Sequence, residues 1–419
     1  MKQWRLVAIS GAVVLVAGLA VLQFLKLRER QASSELTAAR NAAREAGLPV
    51  NAEEFRKLLG EPQGKNAFEV LQRLEPMSKA RKASGQRRLG DVETADLSDR
   101  AVYSEFSDYL RIFEEAAACE SYVPKRQWED GLLVFFPDFA ELKYVVRLAM
   151  ARARSSLNSG DYAAAFEDAR RVTKLTALVR TERHAIAHLS ASALELFVAK
   201  FLLESAPKFK SEAHWDTAQE LMKALLPTPT VVDNFVGDMV MHFETLRYLC
   251  EGGPQAQEFL NAARSQDSAS KATPLRDADS RTIEAEALIV WTQFFKSASN
   301  NVTAVAENEA HYQKVYEKLV EWTLFRGLPR EFAKVVEQLD GVPSQFEGRL
   351  MLAVQRDMYN KALSMAKSGK SAWPQSGSSV ESVLGQETNY KFQFTTNGFM
   401  LSCDAIEDGP VTVYFPAKP

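Results

Sequence analysis

The sequence predicts a mainly α protein with an N-terminal transmembrane helix, a body of antiparallel helical hairpins and a small C-terminal β meander. Three observations lead there. Leu6 to Leu25 form an apolar run without a charge, flanked by Lys2 and Arg5 before it and by Lys26, Arg28 and Arg30 after it. From there to Lys367 apolar residues recur mainly at intervals of three and four, the helical period. Near the C-terminus the interval falls to two, the period of a strand. The chain has 419 residues, 46% hydrophobic and 25% charged, with a net charge of −3, so two or three folded lobes are expected and neither disorder nor a nucleic-acid partner is indicated.

Twenty helical residues rise about 30 Å, the thickness of a bilayer's hydrocarbon core, so Leu6 to Leu25 is expected to cross the lipid bilayer once. A cleaved signal peptide is the competing reading, because Gly18-Leu19-Ala20 offers small residues at the positions a peptidase inspects. The run continues through Val21, Leu22, Phe24 and Leu25, past the usual length of a signal core, which favours a retained anchor. Lys26, Arg28 and Arg30 then fall at the membrane surface. Positive charge on both flanks, taken alone, favours a cytoplasmic bulk; the layout of a short tail, one span and a large domain favours an extracytoplasmic one, which is the orientation expected.

Glu29 to Ala46 continues the helix into water until Gly47-Leu48-Pro49 stops it. Asn51 and Glu54 form a capping box for Ala52 to Leu59, which Gly60 and Pro62 end, and a further short helix covers Asn66 to Leu74. Lys79 to Gly90 gathers Lys79, Arg81, Lys82, Arg87 and Arg88 with no acid among them. It reads as a solvated loop or, more sharply, as a contact for anionic headgroups. Ser98 to Tyr122 places Val102, Phe106, Tyr109, Leu110, Phe113 and Ala117 on one helical face and stops before Pro124. Pro137 suits the first turn of a long helix to Asn158, and Asp161 opens its partner, with Ala165, Phe166, Ala169, Val172, Leu175 and Leu178 along one stripe.

Further helices are expected at 185–205, 212–226, 231–249, 281–297, 303–325, 330–339 and 345–367, separated by proline and glycine punctuation. Ser368 to Ser379 is Ser- and Gly-rich and reads as a linker. Tyr390, Phe392 and Phe394 then alternate with Lys391, Gln393 and Thr395, Asn397-Gly398 supplies a two-residue turn, Phe399 to Ala405 returns, and Val411 to Phe415 makes a third strand. The expected division is 1–46 anchor and helical extension, 47–264 helical domain, 265–280 linker, 281–367 second helical region, 368–388 linker and 389–419 β meander.

The stretch from Ala149 through Asn158-Ser159-Gly160-Asp161-Tyr162 to Ala165 and Ala169, within a hairpin near 137–180, resembles a tetratricopeptide hairpin. A small residue at Ala153 lets the helices approach, the chain turns at Gly160, and Tyr162 and Ala165 seat the second helix. The early Trp and the Leu-Gly pair of that family are missing, and no tandem copy follows at about thirty-four residues. With Gly47-Leu48-Pro49, Asn66-Ala67 and the aromatic C-terminal hairpin, the chain resembles uncharacterised bacterial membrane-anchored helical proteins. The resemblance implies a tetratricopeptide-like helical array and no activity.

His184 and His188 are the sharpest chemical feature, four apart on an expected helix and so on one face, where two imidazoles can share a metal. Ala185 stands where a zinc protease has glutamate, and Glu182, Glu195, His214, His242 or His311 would have to supply a third ligand. Packing is the simpler role for both histidines, and no catalytic residue, resident metal or cofactor is expected. Gly369-Lys370-Ser371 lacks the first glycine and the preceding strand of a phosphate loop, which argues against nucleotide binding. Asn301-Val302-Thr303 is a chance glycosylation sequon unless the host glycosylates exported proteins. Cys119, Cys250 and Cys403 are too few and too scattered for a disulfide framework. The aromatics Trp291, Phe294 and Phe295 and, in a later helix, Tyr312, Tyr316, Trp322 and Phe325 are spaced to pack helix on helix.

The expected function is a membrane-anchored, non-catalytic helical scaffold that binds other envelope proteins. The alternatives are a metal-dependent enzyme using His184 and His188, favoured by a buried pair with a nearby carboxylate, and a structural subunit of an envelope or secretion assembly, favoured by a bare edge strand in the meander.

Overall fold

The computed structural model describes the backbone of residues 2–92, 100–225, 230–252, 254, 257, 277–325, 341–385, 388–396, 398–404 and 411–416, with side chains from residue 23 onward except at 100–101, 277–278, 315–316, 318–325, 341–345 and 416. The helices are α1 (Lys2–Glu45), α2 (Ala52–Leu59), α3 (Ala67–Leu71), α4 (Leu74–Ala83), α5 (Arg100–Glu105), α6 (Ser107–Ala118), α7 (Pro137–Asn158), α8 (Tyr162–Val179), α9 (Ala185–Ser205), α10 (Glu212–Ala224), α11 (Val231–Glu251), α12 (Asp277–Ser297), α13 (Val305–Phe325) and α14 (Gly341–Ser368). An antiparallel sheet follows, β1 (Ser379–Val380), β2 (Tyr390–Thr395), β3 (Gly398–Cys403) and β4 (Val411–Pro416), in the order 1-2-3-4.

α1 is one unbroken helix of 44 residues. Gly47 ends it in the left-handed region, φ 75°, and lets Leu48 N–H return to Ala43 O at 3.0 Å. The expected span, Leu6 to Leu25, lies within this helix; its side chains up to residue 22 are outside those described. Beyond it Ala32, Leu36, Ala39 and Ala43 are buried, and their spacing of four, three and four makes one stripe laid along α12. Arg28 pairs with Asp279 at one end of this contact and Arg40 with Glu284 further along. Among the described residues one helical stretch, Ala185–Lys208, is long and apolar enough to cross a membrane, but 61% of its apolar window is buried and it forms the central rod of the body.

Two hydrophobic cores organise the rest. The first joins α3, α6, α7, α8 and α9 to α14 and the sheet through Phe106, Phe113, Val145, Ala169, Phe201, Met358 and Phe399. The second joins α1, α2, α11, α12 and α13 through Leu36, Phe55, Phe235, Leu288, Trp291 and Tyr312. The cores therefore interleave along the chain. Residues 277–280 of the expected linker already belong to α12, and 265–276 lie outside the described residues, as does the helix expected at 330–339.

Local signals are realised closely. The Asn51 side chain accepts the Glu54 N–H at 2.8 Å, Pro137 is in the first turn of α7, and Asp161 caps α8 through the Ala164 N–H at 3.0 Å. Four expectations change. Residues 79–83, expected in a loop, complete α4, where Glu75 pairs with Lys79 one turn on. The single helix expected over Ser98–Tyr122 breaks at Phe106, whose ψ of 23° is non-helical. The linker at 368–379 is docked, since Trp373 packs 4.8 Å from Phe399 and its Nε1 donates to Met365 O at 2.8 Å. The strand register pairs Thr395 with Gly398, so Gly398 opens β3 and does not sit in the turn; Asn397 lies outside the described residues. Cys119, Cys250 and Cys403 are buried free thiols.

Candidate functional site

Where the two cores meet, the packing turns polar. The chain from Tyr122 to Phe139 crosses this seam, with Tyr122 and Phe139 in the first core and Trp128 in the second. Arg126 sits in the seam, almost wholly buried. Its Nη1 donates to Asp138 Oδ1 at 2.9 Å, its Nη2 donates to Asp138 Oδ2 at 3.0 Å and to Glu182 Oε2 at 3.1 Å, and its Nε donates to Glu182 Oε1. The Tyr122 hydroxyl donates to Asp138 Oδ2 at 2.7 Å, and the guanidinium lies 4.5 Å from the Phe136 ring centre.

Local structure aims each partner. Pro137 starts α7, which puts Asp138 in its first turn, where exposed N–H groups favour a carboxylate. Glu182 ends a single 3₁₀ turn after α8, and Arg183, with φ 56°, reverses the chain in the left-handed region. His184 is consequently not inside a helix but at its edge: it caps α9, its Nδ1 accepting the Ala187 N–H at 3.4 Å. That leaves Nε2 as the protonated nitrogen, 3.1 Å from Glu182 Oε1. From α11, Asp238 Oδ2 accepts the Ala185 N–H at 2.8 Å, and Gly237 N–H donates to Arg183 O at 2.9 Å. A side chain at Gly237 would meet His184 Cβ at 2.7 Å, so the close crossing of α11 requires glycine there.

Burial works against charge throughout the seam, and pairing decides which charges survive. Burial opposes ionisation of Glu182, but His184 and Arg126 outweigh it and hold the carboxyl below its usual range. Arg126 is likewise held cationic by Glu182 and Asp138 despite burial. Asp238 makes no ion pair with a lysine or arginine among the described residues, and burial outweighs the Ala185 N–H to push it up to about 6. His188 is pushed down to about 3 by burial, then by the charge of Arg180. Asn234 joins it to α14, donating to His188 Nδ1 at 3.1 Å and accepting from Arg349 Nε at 2.6 Å in the orientation that satisfies both.

The expected metal pair is thus separated by role. Both histidines are buried and Glu182 stands beside one of them, as the enzyme alternative asked, yet His184 Nδ1 is spent on a cap and His188 Nδ1 on Asn234. Glu195 is engaged by Arg180 and Arg356. His214 stacks on Tyr162 at 3.9 Å, His242 stacks on Trp291 at 5.5 Å, and His311 lies 3.7 Å from Glu307. Among the described residues no three His, Cys, Asp or Glu side chains are grouped to hold a metal ion.

A cavity of about 280 Å³ opens beside Arg126 and Asp138, with Phe68, Phe135, Glu75 and Glu141 in its walls. Phe135 projects from its lip, 77% exposed. Burial pushes the Glu141 carboxyl up, with the Ser78 hydroxyl donating to it at 2.8 Å. His184 and Glu182 do not line this cavity; the imidazole is sealed beneath Phe136, Phe139 and Trp128. Each guanidinium nitrogen of Arg126 is already donating, so the assembly is a closed clamp between the cores.

The basic residues expected at a membrane surface divide into two groups. Arg81 and Arg87 both pair with Glu105, Arg88 with Asp91, Lys79 with Glu75 and Arg28 with Asp279. Folding brings in the acids that the segment itself lacks. Lys26, Arg30 and Lys82 remain exposed. Arg126 itself was missed by sequence reasoning, because between Lys125 and Gln127 it looks like another surface cation while its partners lie 12 and 56 residues away. Comparison with family models, curated proteins and solved structures finds no match for this chain.

Proposed function

We propose that this protein is a single-pass, membrane-anchored helical scaffold for protein–protein interaction in the cell envelope, held by Leu6 to Leu25 with its bulk outside the cytoplasm. One observation carries the reading: α1 changes environment along its length without a break. Phe24 and Leu27 are 67% and 68% exposed, whereas Ala32, Leu36, Ala39 and Ala43 are buried against α12. Exposed apolar groups just before a run of basic residues suit the boundary of a bilayer. The α7–α8 hairpin, tightened by Ala149, Ala153, Ala165 and Ala169, supports a tetratricopeptide-like arrangement, whose typical use is partner binding.

A structural subunit of an envelope or secretion assembly is the second reading, and β4 favours it. Among the described residues this strand has no neighbour on its far side, and it carries Tyr414, 63% exposed. Such an edge can accept an added strand.

The test uses the full chain in cells. It should resist alkaline extraction from membranes, a version lacking residues 1–25 should be released, and a photocrosslinker at Tyr414 should give discrete adducts with envelope proteins. Release of the full chain, or no adduct above background, would count against the proposal.

A further inference from the structure

α12 and α13 form an antiparallel hairpin whose turn is locked by Asn308: its Oδ1 accepts the Ser299 N–H at 2.8 Å and its Nδ2 donates to Ser299 O at 3.0 Å. Phe294 and Tyr312 pack between the helices, ring centres 5.8 Å apart. On one side a cavity of about 410 Å³ remains, within the range of about 300–1,000 Å³ typical of ligand sites. Its wall from α12 is Val290, Gln293, Phe294 and Ser297, spaced three, four and seven apart and so on one face; His311 and Lys314 face it from α13, and Lys296 completes the rim.

The charged residues described around this cavity are all basic. Val290 and Phe294 give it an apolar floor, its rim carries Lys296, His311 and Lys314, and among the described residues no acid lines it. Elsewhere Arg40, Arg81, Arg126, Arg152 and Lys367 meet carboxylates, while other lysines, Lys26 and Lys82 among them, make no ion pair among the described residues. Lys296 and Lys314 make no ion pair among the described residues, and His311 has only Glu307 nearby, at 3.7 Å. An apolar recess between two unspent ammonium groups is complementary to an apolar side chain flanked by carboxylates.

Resting on the scaffold reading, we infer that this groove binds an acidic peptide segment of a partner protein, with one large apolar residue in the recess and carboxylates on Lys296 and Lys314. The bilayer is a poor source for that ligand. Arg28 pairs with Asp279 and Arg40 with Glu284, so α12 runs away from the anchor in the same direction as α1. Val290 therefore lies roughly 16 Å beyond the level of Asp279. A groove between antiparallel helices is also the shape that accepts a peptide through spaced apolar anchors.

Full-length protein in detergent micelles, titrated against a fluorescein-labelled acidic hexapeptide with a central Trp-Leu pair, tests the inference. Saturable anisotropy change is expected, weakened at least tenfold in the Lys296→Glu/Lys314→Glu variant, unchanged in Lys223→Glu on α10, and falling as salt is raised. Equal binding by the double variant, or no binding by the natural chain, would overturn it. So would calorimetric binding of decanoate without binding of the peptide, which would make the recess a small-amphiphile site. In any of these cases the Tyr414 crosslinks and membrane retention would still report on the scaffold reading separately.

Discussion

The α7–α9 centre of the first core and the second core pack differently. In the first, α7, α8 and α9 close on one another through Ala149, Ala153, Ala165, Ala169, Ala187, Ala191 and Ala199, and of the buried carboxylates there Glu195 is answered by Arg180 and Arg356 and Asp168 by Arg152. In the second, rings carry the contact: Phe55 lies 4.9 Å from Trp128, Phe235 5.1 Å from Phe346, and Trp291 5.9 Å from Tyr312. Among the described residues Trp128 Nε1 and His242 Nδ1 have no hydrogen-bond partner in the second core, as Arg180 Nε and Asp357 Oδ1 have none beside the first. The small-residue core and the seam are therefore vulnerable to losing one partner of a charge. The aromatic core is vulnerable to gaining a charge that it cannot answer.

The strongest way to break this contrast is Arg126→Met. Removing the cation strands Asp138 and Glu182 in the seam, and the expected loss is about 3–5 kcal/mol of unfolding free energy. Denaturant unfolding of the full chain in detergent would measure it, and adding Glu182→Gln should restore part of the loss. A cost below about 1 kcal/mol would mean that the clamp does not hold the cores together.

Acid should strike the other core. His242 is pushed down by burial from 6.5 to about 3, so the native state keeps it neutral while the unfolded chain takes up a proton. Its contribution is therefore complete above pH 6.5 and is lost as the pH falls toward 3, a cost of about 2 kcal/mol at pH 5. His188 behaves in the same way, whereas Asp238, raised from 3.8 to about 6, favours the fold below 3.8 and ceases to by pH 6, partly offsetting the histidines. His242→Phe should shrink the stability difference between pH 8 and pH 5 by about 2 kcal/mol. An unchanged difference would show that His242 meets solvent in the native state.

Gly237→Ala sharpens the contrast at its smallest scale. The new methyl would press on His184 Cβ at 2.7 Å and on Arg183 O at 3.0 Å. Overpacking of roughly 1–3 kcal/mol set against a helix-propensity gain of about 1 kcal/mol leaves a net loss near 1 kcal/mol. A melting temperature equal to or above that of the parent would show that α11 can withdraw from the seam freely.

What the sequence disclosed was local. Asn51 with Glu54, Pro137 and Asp161 act within a few residues, and each placed a helix start correctly because capping depends on the next turn alone. The apolar alternation of Tyr390 and Phe392 likewise fixed the sheet's inner face. What it concealed was assembled from distant segments. Glu105 neutralises Arg81 and Arg87 from 24 and 18 residues away, so the basic segment looked unpaired. The helix expected from 185 starts where α9 does, but the capping role of His184 was hidden because the left-handed turn at Arg183 before it carries no glycine to announce it.

An unhinged α1 also acts as a ruler and a compass. On the reading that its front half sits in lipid, the docking stripe from Ala32 to Ala43 lies at a fixed height and bearing, because no swivel separates it from the bilayer. One residue inserted near Glu29 would swing the body by about 100° around the membrane normal, whereas seven would raise it about 10 Å with nearly its original heading. On that reading the body would present one chosen flank at one chosen altitude.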